Sequence, residues 1–530
     1  MIAVATRAED HPVVAEFFEL FKTPWEFFRA GSRASVLLCS QAEIPLSNAR
    51  LVLVYGGAEN SFDRENGIAV QPQVSGKILA HDGRNFPIYG SCVTAKNSSG
   101  PVLRKINSHG QTFVRIGYDL FSEIRHLLTV GQPAEHAPLP ALEIHIALLR
   151  GLIVSQAIPL IEIPPVPAGR GFIACLTHDV DHVGIRNHQF DHTMFGFLYR
   201  ATIGSMLDVA AGKKTFAQLA ANCLAALKLP FVQLGLVRDF WYQFDHYVEI
   251  ENGAASTFFV IPKKGETGLD ANGSRPPKRA ASYDAAGLKD ILRQLGTAGK
   301  EIGVHGLDAW RDAAAGRTER DIISQLTGVT ELGVRMHWLY FGEQSHAELE
   351  RAGFTYDSTV GYNGTVGYRA GTTQVFKPLT TAKLLELPMH VMDTALFYPS
   401  YLNLSPRQAV EKVRPLIADA VHFGGVLTVN WHDRSLAPER LWDGSYRRLL
   451  EEFKAKGAWF ATAAQTVAWF KKRRAMTFDS TAGEGQIKIK TGGGQDGLPA
   501  LRVRIFQPDA NGGKFVEKPL PDGGEICLAA

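Results

Sequence analysis

The 530-residue sequence has few cysteines and no marked excess of charge. Its five cysteines are scattered and never occur in the Cys-x-x-Cys spacing. This argues against a disulfide framework and against a thiolate metal site, and it is typical of a reducing compartment. The formal net charge is only +3. A chain of this length with so small a charge lacks the basic surface that nucleic-acid binding requires, so we expect no nucleic-acid partner.

The sequence also lacks a long uninterrupted apolar run. Its most hydrophobic segment, residues 142–166, is broken by charged and polar side chains, namely Glu143, His145, Arg150, Gln156 and Glu162. Such a segment does not form an integral membrane span. The first ten residues lack the basic start and apolar stretch of a signal peptide. We therefore expect a cytoplasmic protein.

The pattern of apolar runs divides the chain into three regions. Residues 1–165 mix short strand-like runs with helices, which predicts an N-terminal α/β accessory domain, and the proline-rich piece 159–167 is typical of a linker. Residues 166–475 alternate strands with helices. Such alternation predicts an α/β fold with a parallel sheet, and its length suits a (β/α) barrel of about seven or eight units.

Residues 476–530 change character. The runs 486–490 and 501–505 alternate apolar with basic side chains and are separated by three glycines at 492–494. This predicts a small C-terminal β appendage with antiparallel strands and one wet face. Its basic side chains either bind an acidic glycan or form a solvated strand face, and the second interpretation is favoured; they are Lys488, Lys490, Arg502 and Arg504.

The stretch Thr177-His178-Asp179-Val180-Asp181-His182 follows an apolar run at 171–176. The run predicts a buried strand, so the acidic residues lie at or just past its carboxyl end, where ligands bind in α/β folds. Because side chains alternate along an extended chain, Asp179 and Asp181 are expected to face the same side. Two such carboxylates suit a metal ligand beside a general base. The alternative is an Asx-rich turn that caps the strand.

Other predicted strands also end in reactive side chains. His305 closes the strand 301–305, His432 follows the strand 425–431, and Arg335 and His337 form a further candidate pair. In a barrel the carboxyl ends of all strands open onto one face. We therefore expect these residues to share a site with the two aspartates.

These motifs resemble those of the polysaccharide deacetylase (NodB-homology) family, also called carbohydrate esterase family four. The acidic pair, the strand Ser256-Thr-Phe-Phe-Val260, the sequence Glu301-Ile-Gly-Val-His305, Arg335 and His432 occur in the family's order. The resemblance implies a distorted, incomplete (β/α) barrel that removes acetyl groups from N-acetylated sugars with a divalent metal. The N-terminal region is similar to an accessory domain that precedes some bacterial deacetylase-like domains.

The chain departs from the family pattern at two places. The acidic pair is split by Val180, and Ala309 occupies the position of the second metal-binding histidine, four residues after His305. The resemblance implies that Asp181 and His305 bind Zn²⁺ or another divalent metal together with a third ligand. His182, His337, Asp308 and His178 are possible replacements, and His182, next to Asp181, is included in the predicted ligand set.

The resemblance also implies catalytic roles. Asp179 takes a proton from the attacking water, Arg335 orients Asp179 and holds its charge, and His432 donates a proton to the leaving nitrogen. Asp433 either tunes His432 or points elsewhere. Three residues are predicted to bind the substrate. His337 contacts sugar hydroxyls, and Arg369 either clamps a carboxylate or phosphate or forms a loop salt bridge. Trp431 either stacks on a sugar ring or is a core residue.

Three functions fit these observations. The first is a metal-dependent hydrolase that removes N-acetyl groups from a sugar or glycan intermediate, with a small, nucleotide-linked or lipid-linked sugar favoured over a finished polymer. The second is an amidohydrolase that acts on a non-sugar C–N bond. The third is a catalytically degenerate relative that only binds glycans.

Overall fold

The computed structural model describes residues 1–73, 77–81, 83–96, 100–108, 110–480, 486–491, 497–507, 514–521 and 523–529. The chain forms two compact units. The first comprises Met1–Gly169, Tyr368–Leu379 and Ala468–Ala530, and the second comprises Arg170–Gly367 and Thr380–Val467. The domain boundaries expected at 165 and 475 stay a prediction. The three glycines at 492–494 lie outside the described residues.

The N-terminal part of the first unit is built on a mixed sheet. The strands of this part of the chain are β1 Ile2–Ala5, β2 Trp25–Phe27, β3 Val36–Cys39, β4 Leu51–Tyr55, β5 Val70–Gln73, β6 Lys77–His81, β7 Arg84–Ile88, β8 Cys92–Ala95, β9 Val102–Ser108, β10 Gln111–Ile116 and β11 Leu160–Glu162. The sheet has the order β2-β1-β3-β4-β10-β9, in which only the β9–β10 pair is antiparallel. The expected linker contains strand β11 instead.

The α-helices among the described residues of this part are α1 His11–Phe21, α2 Ser61–Glu65, α3 Leu120–Thr129 and α4 Ala141–Val154. Helix α3 is capped at its start by a side chain. Its N-cap is Asp119, whose side chain accepts hydrogen bonds from the backbone N–H groups of Phe121 and Ser122 and so satisfies free donors of the first turn.

The second unit is built around a parallel sheet. Its strands are β12 Ile173–Val180, β13 Thr257–Val260, β14 Glu301–Gly306, β15 Val334–Met336, β16 Tyr356–Asp357, β17 Leu385–Glu386, β18 Val391–Met392, β19 Val426–Asn430 and β20 Trp459–Ala461. They follow the order β17-β16-β15-β14-β13-β12-β19-β18, with β20 paired to β12, and every pair is parallel.

One irregular segment joins the two ends of this sheet. The backbone N–H of Leu387 donates to the carbonyl of Asp357 at 2.8 Å, and that of His390 donates to the carbonyl of Thr428 at 3.1 Å. The short strands β17 and β18 are the two edge strands of the sheet, and the segment between them spans the gap that separates these edges. The result is the distorted (β/α) barrel expected from the sequence, with the carboxyl ends of its strands at one face.

Helices connect these strands: α5 His192–Tyr199, α6 Ser205–Ala210, α7 Phe216–Gln233, α8 Phe244–Glu251, α9 Lys289–Thr297, α10 Ala313–Thr327, α11 Ser345–Ala352, α12 Asp393–Phe397, α13 Pro406–Phe423 and α14 Asp443–Ala455. A last helix, α15 Ala463–Arg474, follows β20, and its residues from Ala468 onward belong to the first unit. A π-helical turn, Arg200–Gly204, joins α5 to α6. Ser405 caps the start of α13, and Pro406 occupies its first turn. Within the described residues, no helix has the length and apolar character needed to cross a membrane.

The C-terminal strands are β21 Thr477–Ser480, β22 Gln486–Thr491, β23 Arg502–Phe506, β24 Phe515–Pro519 and β25 Gly524–Ala529. The two predicted strands exist as β22 and β23, but they lie in different antiparallel sheets, β21-β22-β25 and β11-β23-β24. The basic side chains of β23 are ion-paired: Arg502 and Arg504 both contact Glu517 at 2.7 Å, and Arg504 also contacts Glu162 at 3.0 Å.

Candidate active site

The carboxyl ends of the barrel strands bring the predicted residues together. Asp179 is the penultimate residue of β12, and Asp181 follows the strand directly. His305 lies in β14, Arg335 lies in β15, and His432 follows β19. All the strands are parallel, so these side chains reach one end of the barrel and most of them line one cavity of about 470 Å³.

Asp181, His305 and His337 form a tight cluster in this cavity. The Asp181 Oδ1 atom lies 3.4 Å from His305 Nε2 and 3.4 Å from His337 Nδ1, and the two ring nitrogens are 3.0 Å apart. The other ring nitrogen of His305, Nδ1, lies 2.9 Å from the carbonyl oxygen of Arg335. A carbonyl only accepts hydrogen bonds, so Nδ1 carries a proton and Nε2 faces the cluster, where it can offer its lone pair to a cation.

This arrangement fits a divalent cation. A carboxylate oxygen and an imidazole lone pair are both acceptors, and they repel each other unless a cation lies between them. The Asp181 Oδ1 atom is buried and accepts no hydrogen bond from any described residue. Burial lowers the pKa of His337 to about 3, although Asp181 raises it, so this imidazole is neutral, as a metal ligand must be. One carboxylate and two imidazoles are a common donor set of catalytic zinc.

His182 is not part of this cluster, although it was included in the predicted ligand set. Its ring packs against His188 and Trp241, at centroid distances of 5.4 and 5.8 Å. Its backbone N–H donates to Asp433 at 3.2 Å. Asp181 and His182 are consecutive, and their side chains leave the backbone in different directions. The structure therefore brings His337, and not His182, to Asp181 and His305.

Asp179 lies beside the cluster and is held by two donors. Arg335 Nη1 donates to its Oδ1 atom at 3.0 Å, and Asn430 Nδ2 donates to its Oδ2 atom at 2.8 Å. Burial by itself raises the pKa of Asp179, but the charges of His305, Arg335 and His432 outweigh it and lower the pKa below its usual value. Asp179 is thus ionised and oriented. The amide of Asn430, on β19, was not anticipated from the sequence.

His432 is oriented by Asp393, which sequence analysis also missed. The Nδ1 atom of His432 lies 2.6 Å from Asp393 Oδ1, and its backbone N–H donates to Asp393 Oδ2 at 2.7 Å. Burial by itself lowers the pKa of His432, but Asp393, Asp181 and Asp179 together raise the pKa to about 10. The imidazole is therefore protonated at neutral pH. An acidic residue directly after strand β18 was the only signal for Asp393.

Of the two alternatives considered for Asp433, the structure shows the second: its carboxylate points away from His432. Its carboxylate accepts backbone hydrogen bonds from Asp181, His182 and Val183, the last at 2.8 Å. Val183 adopts a left-handed backbone conformation with φ of 57°. Asp433 therefore fixes the turn after β12, on which Asp181 is presented, and does not contact His432 through its carboxylate.

Two predicted substrate-binding residues lie elsewhere. Trp431 is fully buried and packs against Tyr446 and Phe397, at centroid distances of 5.3 and 5.9 Å, so it is a core residue. Its side chain points away from the cavity because the next residue, His432, points into it. Arg369 belongs to the first unit, where its carbonyl accepts a hydrogen bond from the backbone of Gln132 at 2.6 Å, whereas the cavity is lined by residues of the second unit.

The sequence matches no protein-family model and no curated protein. The structure is similar to several solved structures. One is named as a polysaccharide deacetylase from Mycobacterium smegmatis (17% identity, 61% of this chain and 100% of that chain, TM-score 0.36). Another is the PuuE allantoinase (16% identity, 58% and 92%, TM-score 0.36). A third is named as a polysaccharide deacetylase from Pseudomonas aeruginosa PAO1 (15% identity, 56% and 91%, TM-score 0.34).

Proposed function

We propose that the protein is a metal-dependent hydrolase that removes N-acetyl groups from a sugar or glycan intermediate. The supporting observation is the arrangement in one cavity of a carboxylate–imidazole cluster, Asp181, His305 and His337, between an ionised carboxylate and a protonated imidazole. Amide hydrolysis needs a metal or another electrophile, a base and an acid, and these residues match that requirement. The motif resemblance to the deacetylase family supports a sugar N-acetyl group as the substrate.

Asp181, His305 and His337 would hold the metal, with Zn²⁺ as the ion that best suits the donors. When bound, a divalent ion in such a site polarises the substrate carbonyl and lowers the pKa of water. The protein contributes the orientation of the ligands: the carbonyl of Arg335 fixes the ring of His305, and Asp433 fixes the turn that carries Asp181. Such outer contacts set the tautomer and direction of metal ligands.

Asp179 acts as the general base. Its carboxylate is held by Arg335 and Asn430 and lies 3.8 Å from His305, next to the proposed ligands. The guanidinium of Arg335 is fully buried and is itself fixed by Ser358, through its backbone carbonyl and its hydroxyl, both at 2.9 Å. Arg335 is therefore a positioning residue that keeps Asp179 ionised and directed at the water whose proton it takes.

His432 acts as the general acid. Its Nε2 atom lies 3.8 Å from Asp181, on the cavity side, while Nδ1 is held by Asp393. The raised pKa means that the ring carries the proton that a leaving amine needs at neutral pH. Base and acid thus both adjoin the proposed ligands, Asp179 at 3.8 Å from His305 and His432 at 3.8 Å from Asp181, which suits proton transfer to and from one substrate bound between them.

Acetate release tests this function. Protein loaded with one zinc ion is incubated with a panel of N-acetylated sugars, and free acetate is measured. We expect release by the zinc-loaded protein, loss after chelation, recovery when zinc is restored, and loss in Asp179→Asn, which keeps the shape of the side chain but not its basicity. Zinc binding without acetate release from any N-acetylated sugar, but with hydrolysis of a non-sugar amide, would contradict the proposed substrate class.

A further inference from the structure

Three arginines meet in the active-site cavity and have no role in the chemistry described above. Arg200 lies in the π-helical turn between α5 and α6, and Arg434 and Arg440 follow β19. All three line the same cavity as Asp181 and His432. The side chains of Arg434 and Arg440 are each only 6% exposed. The Nε atoms of all three are buried and donate no hydrogen bond to any described residue.

Aromatic rings hold two of these guanidinium groups in place. The Arg434 guanidinium lies over the ring of Trp241, at 4.5 Å from its centroid. Arg440 donates from Nη2 to the hydroxyl of Tyr398 at 2.6 Å and lies 4.9 Å from the ring of Trp442. Stacking of this kind fixes the plane of a guanidinium but leaves its N–H groups free for a ligand.

The charges of the cluster are not balanced. Glu439 pairs with Arg434 at 3.9 Å and already accepts a hydrogen bond from Trp241 at 3.2 Å. Burial by itself lowers the pKa of Arg440, and Tyr398, Glu439, Asp393 and Asp433 raise it, but Asp393 is already engaged by His432, and Asp433 by the backbone of residues 181–183. Burial, then repulsion from Arg434 and Arg440, lowers the pKa of Arg200 to about 10. Burial and the charge of Arg440 also lower the pKa of Arg434. Buried cations in excess of their counter-charges are costly, so the cluster is suited to an anion from outside.

We propose that Arg200, Arg434 and Arg440 form a phosphate-binding subsite, so that the substrate is an N-acetylated sugar that carries a phosphate ester. The inference deepens the proposed function and rests on it for the acetyl group. Arg434 is two residues from His432, and Tyr398 is five residues from Asp393, so the subsite adjoins the acid side of the centre. Guanidinium groups match the fork geometry of phosphate oxygens, and three of them supply enough positive charge for a phosphate monoester, of about −2, or for a diester, which carries less.

A second cavity, of about 280 Å³, shares Arg200, Tyr398 and Arg440 with the first. It is bordered by side chains of α5 and α6, including Tyr199 and Leu207, which are 54% and 59% exposed. The group esterified to the phosphate would extend in this direction. That group is either a small water-soluble one or a lipid, and the phosphate chemistry is the same for both.

Binding of inorganic phosphate tests the subsite independently of catalysis. Titration calorimetry compares the zinc-loaded protein with Arg434→Gln, Arg440→Gln and the control Arg407→Gln, whose side chain is 88% exposed and pairs with Glu411. We expect binding to weaken by about tenfold or more in the first two, because charge-assisted hydrogen bonds to a desolvated anion are lost, and to be unchanged in the control. Phosphate could also bind at zinc, so the titration is repeated with Asp181→Asn, in which arginine-dependent binding is expected to persist.

Equal phosphate affinity in the wild type and both variants would overturn the subsite, as would the absence of saturable binding. Thermal melting checks that each variant is folded. If Arg434→Gln or Arg440→Gln is not, Arg200→Gln replaces it, because no hydrogen bond to a described residue is lost from its Nε atom. Failure of the subsite leaves acetate release intact, whereas failure of the proposed function leaves phosphate binding intact, so the two are distinguishable.

The source of the phosphate is identified by two further ligands. N-acetylglucosamine 1-phosphate is compared with N-acetylglucosamine in solution, and phosphatidylcholine vesicles with a polyprenyl phosphate are compared with vesicles without it. Tighter binding of the soluble phosphate, lost in Arg440→Gln, identifies a water-soluble ester. Binding only to vesicles that carry the lipid phosphate, lost in the same variant, identifies a lipid headgroup. If neither phosphate increases binding, the proposal is wrong.

Discussion

At the scale of single residues, the proposed chemistry depends on which atoms carry protons. The Arg335 carbonyl sets the tautomer of His305, so that a lone pair points into the cluster. Asp393 holds the proton on His432, and Arg335 with Asn430 keeps the proton off Asp179. One cavity thus contains an ionised base and a charged acid, each stabilised by a different buried partner. The opposite pKa directions of Asp179 and His432 support the proposed roles of Asp179 as base and His432 as acid.

Asp393→Asn tests the partner of the acid. The variant keeps a hydrogen-bonding side chain but removes the charge that raises the pKa of His432, so we expect kcat for acetate release to fall by roughly 10²-fold, the scale of general acid catalysis. Zinc content is expected to stay at the wild-type level, because Asp393 contacts none of the three proposed ligands. Steady-state kinetics and metal analysis of the same preparation measure both. An unchanged kcat would contradict the role of Asp393.

At the scale of elements, strand β12 is anchored by a buried polar network on its face away from the cavity. His178 Nε2 lies 2.8 Å from Glu251 at the end of helix α8, and Glu251 also accepts hydrogen bonds from Lys300 at 2.5 Å and Tyr446 at 2.7 Å. His178 points away from the cavity, because it precedes Asp179 on an extended strand. It is therefore a structural residue and not a metal ligand.

This network predicts a stability that depends on pH. Burial by itself raises the pKa of Glu251, but His178 and Lys300 lower it to about 2, from an unfolded value near 4.5. A carboxylate with a lowered folded pKa stabilises the protein fully above the unfolded pKa, and that contribution, roughly 3 kcal/mol, is lost as the pH falls from about 4.5 to 2. Glu251→Gln is expected to lower the melting temperature at pH 7 and to flatten its decline in this range.

Thermal melts at a series of pH values compare the wild type with Glu251→Gln, and Glu411→Gln serves as a control on an exposed helix surface. If the wild type and Glu251→Gln lose stability in parallel between pH 4.5 and 2, another carboxylate dominates acid unfolding, and the role given to Glu251 is wrong.

The elements also decide how much of the site could be predicted from the sequence. Asp179, Asp181, His305, Arg335 and His432 were recognisable because each lies on or just after an apolar strand. Asp393 was missed because strand β18 has only two residues, which is too short for an apolar pattern. The choice between His182 and His337 could not be made, because it depends on side-chain directions in a turn that Asp433 fixes from a distant part of the chain.

At the scale of the whole molecule, the barrel was predictable and the packing of its surroundings was not. Alternation of strands and helices implied the parallel sheet, because that pattern is local in sequence. The pairing of β23 with β11 joins strands more than 300 residues apart, so no local sequence pattern predicts it. The arginine cluster was likewise not predictable from local sequence, because Arg200 precedes Arg434 and Arg440 by a long stretch of chain and meets them only in the folded second unit.

The proposed metal ligands come from the turns and ends of three strands, β12, β14 and β15, so the metal site exists only in the closed barrel. Zinc that binds the folded protein but not the unfolded chain stabilises the folded state, and we expect the melting temperature to rise with zinc concentration. Asp181→Asn is expected to remove this effect, because it takes away the only charged ligand of the three. A zinc-dependent rise that persists in Asp181→Asn would place the ion elsewhere.

The proposed ligand set, Asp181, His305 and His337, is tested by the zinc bound per chain in the wild type, His337→Ala and His182→Ala. We expect one zinc ion per chain in the wild type and in His182→Ala. We expect a lower affinity for zinc in His337→Ala, because His337, unlike His182, faces Asp181 and His305. Zinc retained with wild-type affinity by His337→Ala, or no zinc in the wild type after incubation with excess metal, would contradict this ligand set.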